Sequence, residues 1–193
     1  MKKSFLEFLY LGYSFIVTKL TIPSARLLRQ PIDIRGKKGI DFGEKLTTGY
    51  HCRLESFCER GKKSLIFGNN IQINDFVHIA ALNEVRIGDN VLIASKVFIT
   101  DLEHGSYAGN ENDSFPDSIV KERPLYSKSV IIHDNVWIGE HVSVLPGVTI
   151  GENSIIGANS VVTKSIPANS IAVGIPAKVI KQFNFETKRW EKV

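Results

Sequence analysis

The sequence predicts a parallel β-helix, and two observations carry that expectation. From residue 132 onward an aliphatic residue opens every sixth position, at Ile132, Ile138, Val144, Ile150, Ile156 and Val162, in units such as IGEHVS, IGENSI and IGANSV. The same beat runs through Ile87, Ile93 and Ile99, and more loosely through Phe67, Ile73 and Ile79. A fixed period of this kind signals stacked repeats. Six matches neither the period of about 3.6 of an amphipathic helix nor the alternation of a half-buried strand. Three short strand-and-corner units instead make one triangular coil, with each aliphatic side chain pointing to the axis. Successive coils then lie ~4.8 Å apart and share ladder hydrogen bonds, as in any parallel sheet.

In chain order, the first element is an apolar run from Phe5 to Leu20, interrupted by Glu7 and ended by Lys19. It is shorter than the ~20 apolar residues a spanning helix needs. Two readings fit it: an interfacial helix with Lys2, Lys3 and Lys19 at lipid headgroups, or a helix packed on the β-helix or on a neighbouring subunit. Hexads occupy roughly 42–103 and 130–175, enough for about six coils. The expected organisation is a helical lead at 1–35, a β-helix at 36–180 and a tail at 181–193. Between Glu103 and Val130 the beat stops, and the polar segment GSYAGNENDSFPDSIVKERPLYSK carries Pro116 and Pro124. A stretch this long inside a compact domain is usually functional or disordered. Because it leaves one coil and returns to the next, it must project, as a loop over 105–128.

Composition bounds the function. The chain has 193 residues, 43% of them hydrophobic, which suits one soluble domain. Its net charge of +4 is scattered, with Lys37, Lys38, Lys62 and Lys63 among the contributors and no aromatic-interleaved basic stripe, so nucleic acid is not expected as a partner. Cys52 and Cys58 lie six apart, and with no signal-peptide pattern they are expected as buried free thiols in a reducing, cytoplasmic setting. A zinc site would need three converging ligands. His133 and His141 occupy different positions within their hexads and need not converge, so no metal is expected.

The residue that could carry chemistry is His104, in ITDLEHG, where the coil opens into the loop. A histidine at such an edge is both held and reachable, and neutral imidazole, with a reference pKa of ~6.5, is the natural base near neutral pH.

The run VWIGEHVSVLPGVTIGENSIIGANSVVTKSIPANSIAVGIPAKVI (136–180) resembles the closing coils of the hexapeptide-repeat acetyltransferases, the group of galactoside and maltose O-acetyltransferases. Upstream, IQINDFVHIAALNEVRIGDNVLIASKVFITDLEHG (71–105), the RPL after the loop and the tail NFETKRWEKV resemble more closely the bacterial lipopolysaccharide O-antigen O-acetyltransferases. The likeness covers about three-quarters of the chain. Hexads alone specify only a fold, whereas hexads with EHG, WIG and VVTK…IPAKVI together imply coenzyme A-dependent acyl transfer. The resemblance also implies a left-handed coil and a homotrimer with each active site between adjacent subunits.

By that resemblance His104 is the general base and Asn74 helps place the acyl group and the acceptor. A sugar hydroxyl is a poor nucleophile, so a base must take its proton as it attacks the thioester. The tetrahedral oxyanion then needs donors, implied here as backbone N–H near Gly139 and Glu140. The main chain of Ala158 and the hydroxyl of Thr163 are implied to line the pantetheine groove of acetyl-CoA. Lys164, Lys178 and Lys181 are implied to meet its phosphates as point charges. Galactoside acetyltransferases tend to carry arginine where this chain has Lys178. Trp137 is expected either to wall the thioester tunnel or to pack at a subunit interface. Asp101 is a candidate to orient the imidazole or touch the acceptor, with a corner-turn role as the alternative, and His78 is a further candidate at the substrate.

Galactoside and maltose acetyltransferases begin with a helical segment that supplies an acidic acceptor ligand, and nothing in residues 1–35 matches it. The acceptor expected is therefore a sugar hydroxyl of a surface polysaccharide, modified on the cytoplasmic side; a lipid-linked acceptor would place the enzyme at the membrane's inner face. The alternative is an N-acetyltransferase acting on a nucleotide-linked amino sugar. A β-helix without catalysis is disfavoured by the presence of His104 together with the groove residues.

Overall fold

A computed structural model describes residues 4–58 and 61–193. Three faces of short strands wind into a triangular prism. The first face is a nine-stranded sheet running from Leu27–Leu28 through Thr47–Thr48, Gln72–Ile73, Leu92–Ile93, Trp137–Ile138 and Ile155–Ile156 to Ser170–Gly174, with Ala177–Asn184 and Arg189–Lys192 added at its end. The second has six strands, from Asp33–Arg35 to Val161–Val162, and the third has five, from Ile40–Asp41 to Thr149–Ile150. All neighbours within the coils pair in parallel. Only the last two strands of the first face turn antiparallel, where the hexads end.

Register explains the period. Ile73, Ile93, Ile138 and Ile156 stack as one inward column, Leu54, Ile79, Ile99, Val144 and Val162 as a second, and Phe67, Ile87, Ile132 and Ile150 as a third. All are buried. Burying each such side chain is worth about 1.5–3 kcal/mol, so the columns supply the driving force that very short strands lack. Corners demand left-handed backbone, and the chain places Asn70, Asn90, Asn135, Asn153 and Asn169 there at positive φ. Asparagine tolerates this region better than most residues. Side-chain bonds Asn70–Asn90 and Asn153–Asn169, each 2.9 Å, tie successive corners together.

The ladder already begins at Leu27–Leu28, inside the segment read as a lead, because Leu27 and Leu28 pair with Thr47 and Thr48. A signal for it exists: Ile22, Leu28, Ile34, Ile40, Leu46 and Cys52 also fall six apart. It is masked because the aliphatic-glycine pairs that mark several later hexads, such as Ile138-Gly139 and Ile150-Gly151, are missing there, and prolines 23 and 31 intervene. Cys52 is buried in the core and Cys58 only half-buried, and both are free. Burial pushes the Cys52 thiol up to about 11, which leaves it unreactive.

Helix α1 spans Phe5–Thr21 and starts with a capping box, in which Ser4 Oγ accepts from the Glu7 N–H and Glu7 Oε2 from the Ser4 N–H. Its docking onto the prism is polar. Thr18 Oγ1 accepts the Leu28 N–H at 2.9 Å, and Ser14 Oγ accepts the Gln30 N–H at 3.2 Å. Ser14 and Thr18 are the helix residues that are buried, while Phe5, Leu6, Phe8 and Leu20 are 75%, 76%, 69% and 81% exposed. The apolar arc therefore points away from the chain's own β-helix. No helix among the described residues is long and apolar enough to cross a membrane.

Candidate active site

The corner between the first and second faces carries a cleft of about 540 Å³, lined by Asn74, Ala94, Ser95, Trp137, Gly139, Glu140, Ile155, Ile156, Gly157 and Ala158. Five of the residues singled out from sequence meet here: Asn74, Trp137, Gly139, Glu140 and Ala158. Gln72 Nε2 donates to Asn74 Oδ1 at 3.3 Å, orienting the amide. Trp137 is 49% exposed on the outer surface of the first face, stacked in register with Leu92 and Ile155. Gly139 is required by close approach, since a Cβ there would lie 2.7 Å from the Ala158 nitrogen and 2.9 Å from the Ile156 oxygen.

Backbone donors in the cleft separate two residues that the sequence could not. Gly139 donates its N–H to Ile156 O at 2.8 Å, so this group is spent on the ladder and cannot serve an oxyanion. The N–H groups of Glu140 and Ala158 have no acceptor among the described residues. An unpaired donor is costly to enclose and so must be left to solvent or a ligand. From the cleft, the outer column of the first face continues from Trp137 through Ile155 and Ile171 to Lys181, three strand spacings or ~14 Å away. Lys178 pairs with Val173 beside it. Together these make one outward column of the first face, with Lys178 and Lys181 on the strand that closes it.

The remaining candidates sit elsewhere. His104, Thr163 and Lys164 lie at the corner between the second and third faces, the opposite edge of the second face from Asn74 and Ala158. His104 is exposed, at the end of the strand Leu102–His104, which pairs antiparallel with Leu125–Ser127 at the root of the loop. Asp101 shares that corner but is 0% exposed. Its oxygens accept the N–H groups of Leu82, Asn83 and Glu84 at 2.7–2.8 Å. Of the two readings of Asp101, the structure supports the corner turn: a carboxylate so enclosed neither orients His104 nor meets an acceptor.

His78 lies on the second face between the two corners, and there the structure adds a feature that sequence reasoning missed. Its Nε2 is 2.8 Å from Glu55 Oε2, while Glu55 Oε1 accepts from Arg53 Nη2 at 2.7 Å and Arg35 Nη1 at 3.2 Å. Burial alone would raise the Glu55 pKa, but hydrogen bonds from Arg53 and His78 outweigh it and hold the carboxyl below its usual range. No motif announces this cluster, because its members come from three successive coils. Since the folded pKa is depressed, the stabilisation is complete above the unfolded glutamate value of ~4.3 and is lost as pH falls through the folded value. Glu55→Gln should therefore lower stability by about 1.5–3 kcal/mol at neutral pH and by less in acid. Denaturant titrations at pH 7 and pH 3 check this, and an equal loss at both would exclude a role for the charge. Among the described residues no group of three or more His, Cys, Asp or Glu side chains is placed to hold a metal ion.

A triangular prism of parallel ladders whose core repeats every six residues defines a protein built on hexapeptide repeats. Residues 129–164 match the family model described as bacterial transferase hexapeptide (six repeats). The chain is 45% identical over 185 residues to WbbJ of Escherichia coli K12, covering 96% of this chain and 93% of that one, and the name of WbbJ assigns it to lipopolysaccharide biosynthesis as an O-acetyltransferase. A galactoside acetyltransferase solved in complex with coenzyme A is 33% identical, with 84% and 72% of the two chains covered and a TM-score of 0.50. AntD, an N-acyltransferase from Bacillus cereus, superposes at a TM-score of 0.70 over 89% and 90% of the chains at 23% identity, a likeness of fold. The chain belongs to the hexapeptide-repeat family of acetyl-CoA-dependent acetyltransferases. Its coil is accordingly the left-handed one, which strand register by itself does not specify.

Proposed function

We propose that the protein transfers the acetyl group of acetyl-CoA to a sugar hydroxyl of a surface polysaccharide, the lipopolysaccharide O-antigen, at the cytoplasmic face of the membrane. The observation that carries this reading is the near end-to-end likeness to WbbJ, at 45% identity. Pantetheine would lie along the first face with its phosphates at Lys178 and Lys181. Its thioester would reach the cleft beside Trp137 and Asn74. The Ala158 N–H is a donor for the pantetheine amides, and the Glu140 N–H is one for the oxyanion. The acceptor oxygen attacks the thioester carbonyl while His104 takes the hydroxyl proton. Collapse of the tetrahedral adduct expels the coenzyme thiolate, and no acyl-enzyme is needed.

His104, Thr163 and Lys164 stand at one corner and the cleft at another, so one subunit does not complete this site alone. A closed three-fold ring, which sets the second corner of each prism against the cleft of its neighbour, would bring the two sets together. That arrangement is the homotrimer we favour. Acceptor class is tested by mass spectrometry of candidate oligosaccharides incubated with enzyme and labelled acetyl-CoA. Label on oxygen is expected, whereas label confined to the nitrogen of a nucleotide-linked amino sugar would replace this reading with the N-acetyltransferase one.

The outward apolar arc of α1, residues 5–20, suits a lipid-linked acceptor, since it would lay the enzyme on the surface where that acceptor resides. Lys19 belongs to this helix, and Lys2 and Lys3 lie outside the described residues. Co-sedimentation with anionic vesicles, weakened by salt and abolished by removing residues 1–20, is the expected result. No lipid-dependent pelleting by the full chain would assign the arc to subunit packing instead.

A further inference from the structure

A histidine base ordinarily depends on a second group to fix its ring, commonly a carboxylate. His104 has none: its imidazole makes no side-chain hydrogen bond among the described residues, and Asp101 is committed to the backbone of the preceding coil. What the structure holds instead is the His104 backbone. The carbonyl of His104 accepts a 2.5 Å hydrogen bond from the Tyr107 hydroxyl, and that hydroxyl accepts one of 2.7 Å from Arg123 Nη1. The Arg123 guanidinium also lies 6.0 Å from the Tyr107 ring centroid. Its remaining nitrogens donate to Ser118 Oγ at 2.8 Å and to the carbonyls of Phe115, Pro116 and Ser118 at 2.9–3.2 Å. One planar fork thus gathers the returning half of the loop and ties it to the residue that would act as base. Gly105 makes the approach possible. It stands at φ +103, and a Cβ there would lie 2.9 Å from the Tyr107 hydroxyl and 2.5 Å from Ser114 Oγ.

We propose that Tyr107 and Arg123 are positioning residues for acetyl transfer, a brace that fixes the His104 main chain and so aims its imidazole. This rests on the reading of His104 as the base. The physical reason is geometric, since a base displaced by a fraction of an ångström from its proton loses much of its effect. The Gly105 N–H donates to Pro124 O at 2.9 Å and holds only one side of this peptide, and the Tyr107 hydroxyl closes the other.

The test is a double-mutant cycle of Tyr107→Phe and His104→Ala, read as transfer from radiolabelled acetyl-CoA to purified O-antigen oligosaccharide. Tyr107→Phe removes one oxygen and keeps the ring. It should lower kcat about tenfold while leaving the KM for acetyl-CoA within about twofold. In the His104→Ala background the same change should alter kcat by less than about twofold, because its effect passes through the imidazole. Arg123→Lys, which keeps the charge and loses the fork, should behave like Tyr107→Phe. Equal losses in both backgrounds would reduce the brace to a structural role and overturn the proposal. A His104→Ala enzyme of undiminished turnover would instead remove the base assignment beneath it. Hydrogen exchange reports without any acceptor: the Gly105 amide should exchange at least about tenfold faster in Tyr107→Phe, and unchanged exchange would show that no brace exists.

Discussion

Replacing His104 with alanine should lower turnover ~10²–10⁴-fold, the range a positioned general base contributes. Coenzyme affinity should stay nearly unchanged, because a general base acts on the acceptor hydroxyl in the transition state and does not hold the coenzyme. An effect on kcat without one on acetyl-CoA binding marks a group acting in the transition state. Steady-state kinetics beside calorimetric titration with coenzyme A separates the two. Turnover within a few-fold of wild type would take the role away from His104. The side chain is exposed and is held in the ladder only through its backbone, so a loss of folding is not a competing explanation, and an unchanged melting temperature should accompany the kinetic loss.

Deleting residues 107–122 should abolish acceptor use, by at least ~10² in turnover, and leave the fold intact. The strands Leu102–His104 and Leu125–Ser127 already pair antiparallel. Joining Ser106 to Arg123 leaves Gly105, Ser106, Arg123 and Pro124 as a hairpin connection of ordinary length. The coils on either side keep their own ladders, through Ile99–Val144 and Ile87–Ile132. The deletion removes Tyr107, and with it the hydrogen bond to the His104 carbonyl. It also removes Asp113, whose carboxylate accepts the N–H groups of Ala108 and Gly109 at 2.7 and 2.8 Å. Thermal melts and size-exclusion profiles matching the full chain are expected, with transfer lost. Collapse of folding or assembly would make the segment a structural arm.

The sequence by itself determined which side chains face inward and therefore the fold class. A six-residue period assigns every inward position at once, and each column it specifies, such as Ile73, Ile93, Ile138 and Ile156, is buried in the structure. The family resemblance, not the period, marked Asn74, Trp137, Glu140 and Ala158, and the structure places them in one cleft.

Contacts that join different faces, or that depend on a loop's path, were decided only by the tertiary structure. The period does not say that Asn74 and His104 stand at opposite edges of one face, because that depends on how many residues each corner consumes. It does not say that Asp101 is enclosed by the backbone of residues 82–84, nor that the Gly139 N–H is already bonded. The grouping of Arg35, Arg53, Glu55 and His78 arises from stacking three coils, and the Arg123–Tyr107–His104 brace from the fold of an aperiodic loop. Helix α1 followed the same rule. Its composition announced an apolar segment, but two hydroxyls, Ser14 and Thr18, decided which way that segment faces, since hydrogen bonds to Leu28 and Gln30 fix the helix with its apolar arc outward.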